Sequence, residues 1–152
     1  EDTRWLDLFA GTGAVGIEAM SRGVGEGHFV ELSDWVVNNC LSKNIENCKV
    51  HDRAVIHTMK AEEYLKRAAS FPTTTPFDFI SVCPPYELVS YPEIYDLLEA
   101  SNLIGENTIV LVEYPQRVRE HILDTLGPLA KVRDRKYGRT LLALYAPKYV
   151  EK

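Results

Sequence analysis

Two hydrophobic periods succeed one another along the chain. Short apolar runs at 4–9 (RWLDLF), 27–32 (GHFVEL), 53–58 (RAVIHT), 77–82 (FDFISV) and 108–114 (TIVLVEY) have the length and composition of buried strands. Between them the apolar positions recur at helical spacing. Helices are predicted over 14–23, ended by Gly23, and over about 34–45, with Ser33 or Asp34 as the N-cap. A third covers 61–70, with Tyr64, Leu65 and Ala68 on one face, and a fourth 91–101, with Pro92 near its start. A fifth is predicted over 116–127, where Val118, Ile122, Leu123 and Leu126 share one side. The stretch 130–146 reads as two strands about a Tyr137–Gly138 turn. The stretch 71–78 (FPTTTPFD) reads as a surface loop.

Strands alternating with helices build βαβ units and a parallel sheet. Two closing strands with no helix between them add an antiparallel edge. The expected fold is therefore α/β, a doubly wound, mostly parallel, Rossmann-like sheet with a C-terminal antiparallel hairpin. Ligands of such sheets bind beyond the carboxyl ends of the strands.

Composition narrows the picture. The chain has 152 residues, 45% of them hydrophobic, enough for one domain with a full core over 1–152. No run approaches the ~18 apolar residues of a membrane helix, and no secretory signal opens the chain. The sequence enters a buried-looking strand within four residues, so a further N-terminal segment is expected upstream. Cys40, Cys48 and Cys83 fit neither a zinc nor a disulfide framework and read as reduced thiols. Four scattered histidines offer no metal-ligand spacing, so no metal is expected. The net charge of −5 does not mark a general nucleic-acid binder. The segment 131–139 (KVRDRKYGR) nevertheless gathers five of the 17 Lys and Arg residues. It suits a solvated edge hairpin or a phosphate contact equally well.

The chemistry begins at 7–16, DLFAGTGAVG, where Gly11, Gly13 and Gly16 form G-x-G-x-x-G between the first strand and the first helix. That turn can hold a dinucleotide pyrophosphate or the amino-acid end of S-adenosylmethionine. Glu31, at the end of the second strand, can accept both hydroxyls of a ribose and serves either ligand. Asp7 discriminates. A carboxylate four residues before Gly11 repels a pyrophosphate and attracts the ammonium and sulfonium of S-adenosylmethionine. After the third strand, the Lys60–Ala61 step is placed to pair its backbone with an adenine edge. After the fourth comes Cys83-Pro84-Pro85-Tyr86. Two prolines give a stiff backbone of carbonyls without N–H groups, suited to receiving an amino group. Tyr86 adds a ring on which a flipped base can stack.

DLFAGTGAVGIEAMSRG, VEL, FDFISVCPPY, IVLVEY and the closing KYGRTLLALY together resemble the RsmD family, over Leu6 to Tyr145. These are class I methyltransferases that methylate the N2 amine of a guanine in small-subunit ribosomal RNA. The resemblance implies a seven-stranded sheet and S-adenosylmethionine as cofactor. It carries Asp7, Phe9, Ala10, Gly11 and Gly13 to the methionine end. Glu31, followed by Leu32, goes to the ribose, and Ala61, next to Lys60, to the adenine. Pro84, Pro85 and Tyr86 go to the target base. It implies small-subunit ribosomal RNA or its assembly intermediate as partner, no membrane, no metal and a monomer. The family's N-terminal RNA-holding extension is absent from this sequence.

One position departs. The family turn is Asp-Pro-Pro-Tyr or Asp-Pro-Pro-Phe, and Cys83 stands where the aspartate is expected. The aspartate accepts an N–H and turns the amine's lone pair toward the methyl group. Sulfur is a weak acceptor, and an apolar turn keeps a thiol protonated. Either catalysis leans on the Pro84 carbonyl and on orientation, or the chain is a weakly active or non-catalytic RNA-binding homologue. Related turns also serve DNA adenine and protein glutamine, and a nicotinamide-dependent oxidoreductase is the rival from another class. The expected compartment is a bacterial cytosol, or a plastid or mitochondrial interior, with a slight lean to the chloroplast.

Overall fold

The computed structural model describes residues 2–71 and 75–148. Residues 72–74 of the expected loop lie outside them. The strands are β1 (Arg4–Asp7), β2 (Glu26–Glu31), β3 (Ala54–Thr58), β4 (Phe77–Val82), β5 (Ile104–Pro115), β6 (Thr125–Leu126), β7 (Leu129–Tyr137) and β8 (Thr140–Pro147). They form one sheet in the order β3-β2-β1-β4-β5-β8-β7-β6. The first five pair in parallel; β8, β7 and β6 are antiparallel. The α-helices are α1 (Ala14–Ser21), α2 (Asp34–Val36), α3 (Ser42–Asn47), α4 (Ala61–Ala69) and α5 (Tyr91–Ala100), with α2 and α3 joined by a π-helical turn at Val37–Leu41. Ser33 caps α2 and Ser90 caps α5, each accepting a backbone N–H three residues on.

Period-two alternation sends strand side chains to two cores. On one face Leu6, Leu8, Val30, Ile80 and Val110 meet Leu65 of α4 and Ile94, Tyr95 and Leu98 of α5. On the other Phe29 meets Ala19 and Met20 of α1, Val37 and Leu41 of the π-helical turn, and Ile45 of α3. Each fully buried Leu, Ile or Phe contributes about 1.5–3 kcal/mol. Two hydroxyls stitch the larger core to its edge: Tyr95 and Tyr145 share a hydrogen bond of 2.6 Å, and Tyr145 donates to the Leu123 carbonyl at 2.6 Å.

The sheet has eight strands rather than the expected seven, and the difference comes from one segment. Residues 116–127 form no α-helix. A 3-10 turn, Gln116–His121, is followed by the two-residue strand β6, which pairs with β7 across a turn holding Gly127 at φ 55° and Pro128. Ile122 and Leu126 are buried as the amphipathic pattern demanded, but on a strand edge. The bond from Tyr145 to the Leu123 carbonyl and the proline at 128 both oppose a continuous helix. β5 also starts four residues earlier than read, at Ile104. Thr108 there accepts the Gly105 N–H at 2.8 Å and donates to the Phe77 carbonyl at 2.7 Å, bridging an irregular register.

The scattered histidines are less scattered in space. His28 and His57 stack on adjacent strands with Nδ1 and Nε2 3.0 Å apart, and Glu26 holds the other His28 nitrogen at 2.6 Å. Burial, then the neighbouring His28, lowers the His57 pKa. No helix of the described residues is long and apolar enough to cross a membrane.

Candidate active site

The carboxyl ends of β1, β2, β3 and β4 converge on a cavity of about 600 Å³. The glycine turn forms one wall. Leu8 N–H donates to the Ser81 carbonyl at 3.1 Å, and Ala10 N–H to the Val30 carbonyl at 2.9 Å, so the chain leaves β1 still bonded to both neighbouring strands. It then reverses through Gly11 (φ 54°) and Gly13 (φ 84°) into α1. Asn44 of α3 fastens the turn from outside, donating to the Thr12 carbonyl at 2.8 Å. α1 has no side-chain cap, so no capping side chain competes for its first N–H groups, and the Gly16 N–H lies near Asp7.

Phe9, Gly11, Glu31, Leu32, Lys60, Ala61, Cys83 and Pro85 all line the cavity. Sequence reasoning missed the apolar remainder: Leu8, Val30, Met59, Leu88 and Val89 also line it, as do Ser33 and Glu62. The apolar pattern had marked these residues as core or loop, without showing which would open onto a void. Ala10 lies in the turn outside the lining, as does Gly13. The main chain beneath Glu31 is fixed by Met59 N–H, which donates to the Glu31 carbonyl at 3.1 Å.

Asp7 lies under the turn rather than in the cavity lining. It is 1% exposed, and both of its carboxylate oxygens lack a hydrogen-bond partner among the described residues. Burial raises its pKa from 3.8 to about 6; Ser81 and the Phe9 and Gly16 amides lie near enough to oppose the rise, and Glu31 adds to it. None of these contacts reaches good hydrogen-bond geometry, and a buried acid so poorly satisfied is costly.

Pro84 is buried, Pro85 exposed and Tyr86 half-buried. The turn is tied to the closing hairpin. Tyr86 Oη donates to Glu113 Oε1 and lies 3.3 Å from Thr140 Oγ1. The Glu113 carbonyl accepts the Tyr91 hydroxyl at 2.8 Å. Glu113 was visible in the sequence only as part of the closing IVLVEY strand. Burial pushes the Cys83 thiol up to about 12, with the charges of Glu113 and Asp7 adding to it. Cys83 is thus a neutral thiol and supplies no anionic acceptor.

Comparison with known proteins fits this geometry. The family described as Conserved hypothetical protein 95 matches residues 1–146. YlbH of Bacillus subtilis (strain 168) is 31% identical over 142 residues, 93% of this chain and 74% of that one. Ribosomal RNA small subunit methyltransferase D of Escherichia coli (strain K12) is 30% identical over 112 residues, 74% of this chain; the chain covers 53% of that relative, about half its length. A solved structure of a conserved hypothetical protein from Streptococcus pyogenes superposes with a TM-score of 0.86 at 27% identity, covering 100% of this chain and 90% of that one. The β3-β2-β1-β4-β5 order with its antiparallel close is the class I methyltransferase architecture. The chain belongs to the Conserved hypothetical protein 95 family, the RsmD-like group that its sequence resembles.

Proposed function

We propose that this chain is the catalytic domain of an S-adenosylmethionine-dependent methyltransferase acting on the N2 amine of a guanine in small-subunit ribosomal RNA. The observation that carries the reading is Asp7, a buried carboxylate at the glycine turn with no well-formed hydrogen bond. Such a group calls for a cation, and the methyl donor brings an ammonium and a sulfonium. A pyrophosphate would meet repulsion from Asp7. Glu31 on the cavity wall suits the ribose, and the Lys60–Ala61 step at the start of α4 suits the adenine. The relative from Escherichia coli, named as a small-subunit ribosomal RNA methyltransferase, supports the acceptor. The relatives reported above are bacterial and give the chloroplast expectation no support.

Transfer is direct. The base leaves its stack, lies against Tyr86 and presents its amine to the sulfonium methyl, whose carbon–sulfur pair returns to sulfur. Calorimetry tests the first half. S-adenosylmethionine and its demethylated product should bind, and NAD should not; heat with NAD alone would sink the reading. Mapping methyl groups in ribosomal RNA from cells lacking the full-length protein tests the second half.

The same reading assigns a role to the basic hairpin. Thr140, at the foot of the β7–β8 turn, lies beside Tyr86, so the tip flanks the base site. Arg135, Lys136 and Arg139 are exposed there and make no ion pair among the described residues. Exposed cations beside a base-flipping site suit phosphates. Reversing Arg135 and Arg139 to glutamate should raise KM for RNA at least ~10-fold at low salt, less at high salt, and leave donor affinity unchanged. A KM that does not move would return the hairpin to a solvated edge.

A further inference from the structure

The Cys83 substitution leaves a question that the sheet itself answers. An exocyclic amine needs an acceptor for one N–H before its lone pair can face the methyl group, and position 83 has only a neutral thiol. The register of β4 and β5 pairs Val82 with Val112. Cys83, the first residue past β4, and Glu113, the next residue of β5, therefore follow that last pair at the ligand end of the sheet. Glu113 stands near enough to the Cys83 thiol for its charge to help hold that thiol neutral. Tyr86 Oη donates to the Oε1 of the same group. Glu113 is positioned by its own backbone, since Tyr91 Oη clasps its carbonyl at 2.8 Å and β8 pairs it with Leu142. One carboxylate from the neighbouring strand thus holds the last residue of the Cys-Pro-Pro-Tyr turn and stands beside the first.

We propose that Glu113 is the amine acceptor of this enzyme, taking from β5 the role that the missing aspartate of β4 has in the family turn. The inference rests on the methyl-transfer reading above and specifies its acceptor chemistry. In this arrangement Oε1 keeps Tyr86 in place as the stacking ring. The second oxygen accepts an N–H of the target amine. The nitrogen lone pair then forms the new N–C bond as the S–C bond of the donor breaks and its electron pair stays on sulfur. The surplus proton on nitrogen passes to the Glu113 carboxylate and from there to water. Pro84 and Pro85 have no N–H to compete for that carboxylate.

The test is single-turnover transfer of a labelled methyl group from S-adenosylmethionine to under-methylated small-subunit ribosomal RNA, with donor affinity measured in parallel by calorimetry. Glu113→Gln should slow transfer at least ~100-fold with donor affinity within about twofold of the parent. Adding Cys83→Asp to Glu113→Gln should recover at least ~10-fold, because it returns an acceptor to the family position. Tyr86→Phe keeps the ring and loses only the tether, so it should cost less than ~5-fold. If Tyr86→Phe falls as far as Glu113→Gln and Cys83→Asp rescues nothing, Glu113 only anchors the tyrosine and the proposal is overturned. Should Glu113→Gln not fold, Glu113→Asp replaces it. A loss larger than that of Tyr86→Phe supports the acceptor, and an equal or smaller loss overturns it. If the parent protein binds the donor and transfers to no ribosomal RNA, the methyl-transfer reading fails and takes this inference with it; if the parent is active and Glu113→Gln equally so, only the acceptor assignment fails.

Discussion

Asp7→Asn is expected to stabilise the ligand-free protein and weaken its donor complex in the same stroke. The folded carboxyl has its pKa raised from 3.8 to about 6. The sign follows from linkage. A raised acid pKa means the native state disfavours the charged form. This group therefore contributes most to stability below about pH 4, and stability falls as the pH climbs from there through about 6. At pH 7.5 the native state carries a penalty of ~3 kcal/mol from this one charge. Replacing it with a neutral isostere removes most of that, and the ligand-free Tm should rise by several degrees, ~2–4 °C per kcal/mol at this chain length. Affinity for S-adenosylmethionine should fall ~30- to 100-fold, because the cation loses a buried charged partner. In the parent protein, donor affinity should weaken as the pH drops below about 6, since the carboxyl must give up its proton to receive the cation. A thermal melt and a pH series of titrations decide it. A variant that melts lower and binds as before would mean that Asp7 is a structural acid.

Gly13→Ala should be strongly destabilising, because strain and crowding add there. Gly13 is held at φ 84°, a conformation costing a non-glycine residue ~1–2 kcal/mol. Its added Cβ would also stand 2.6 Å from Leu41 Cδ1, a side chain with no exposure, and 3.0 Å from Ile17. Overpacking of that kind costs another ~1–3 kcal/mol. Together they predict a Tm roughly 10 °C lower. Gly11→Ala is the control. Gly11 shares the positive φ, at 54°, but its Cβ would meet nothing within 4 Å. It should lose only a few degrees, and because it lines the cavity its loss should appear in donor affinity. If both variants melt alike, packing on Leu41 is not what this glycine serves.

These contrasts show what the linear pattern could and could not reveal. The β1–α1–β2 unit was legible because each element there is set by its own residues: an apolar run, a glycine reversal, a helix stop at Gly23. Glu31 was legible as a cavity residue because it closes β2, whereas Asp7, at the end of β1, lies buried beneath the turn. The segment after Pro115 was misread because its apolar spacing satisfies a helix and a strand edge alike, and the choice was made by Tyr145 from 22 residues away. The same limit hid Glu113. Nothing near it in sequence is chemical; it acquires a role only when β4 and β5 lie side by side and Tyr86 reaches over. Cys83 looked like a defect because its replacement, if Glu113 is that, lies on another strand.

The two prolines after Cys83 carry one more consequence. The stretch of the turn formed by Pro84 and Pro85 has carbonyls and no N–H groups. It is therefore a counter of hydrogens. A keto oxygen presented there finds no donor on the proline backbone, whereas a primary amine arrives with two hydrogens to give. Once one of them has been exchanged for a methyl group, the guest has a single hydrogen left and one acceptor goes unanswered. On the proposed reading, such a site should favour a base that offers two hydrogens and release its mono-methylated product more readily.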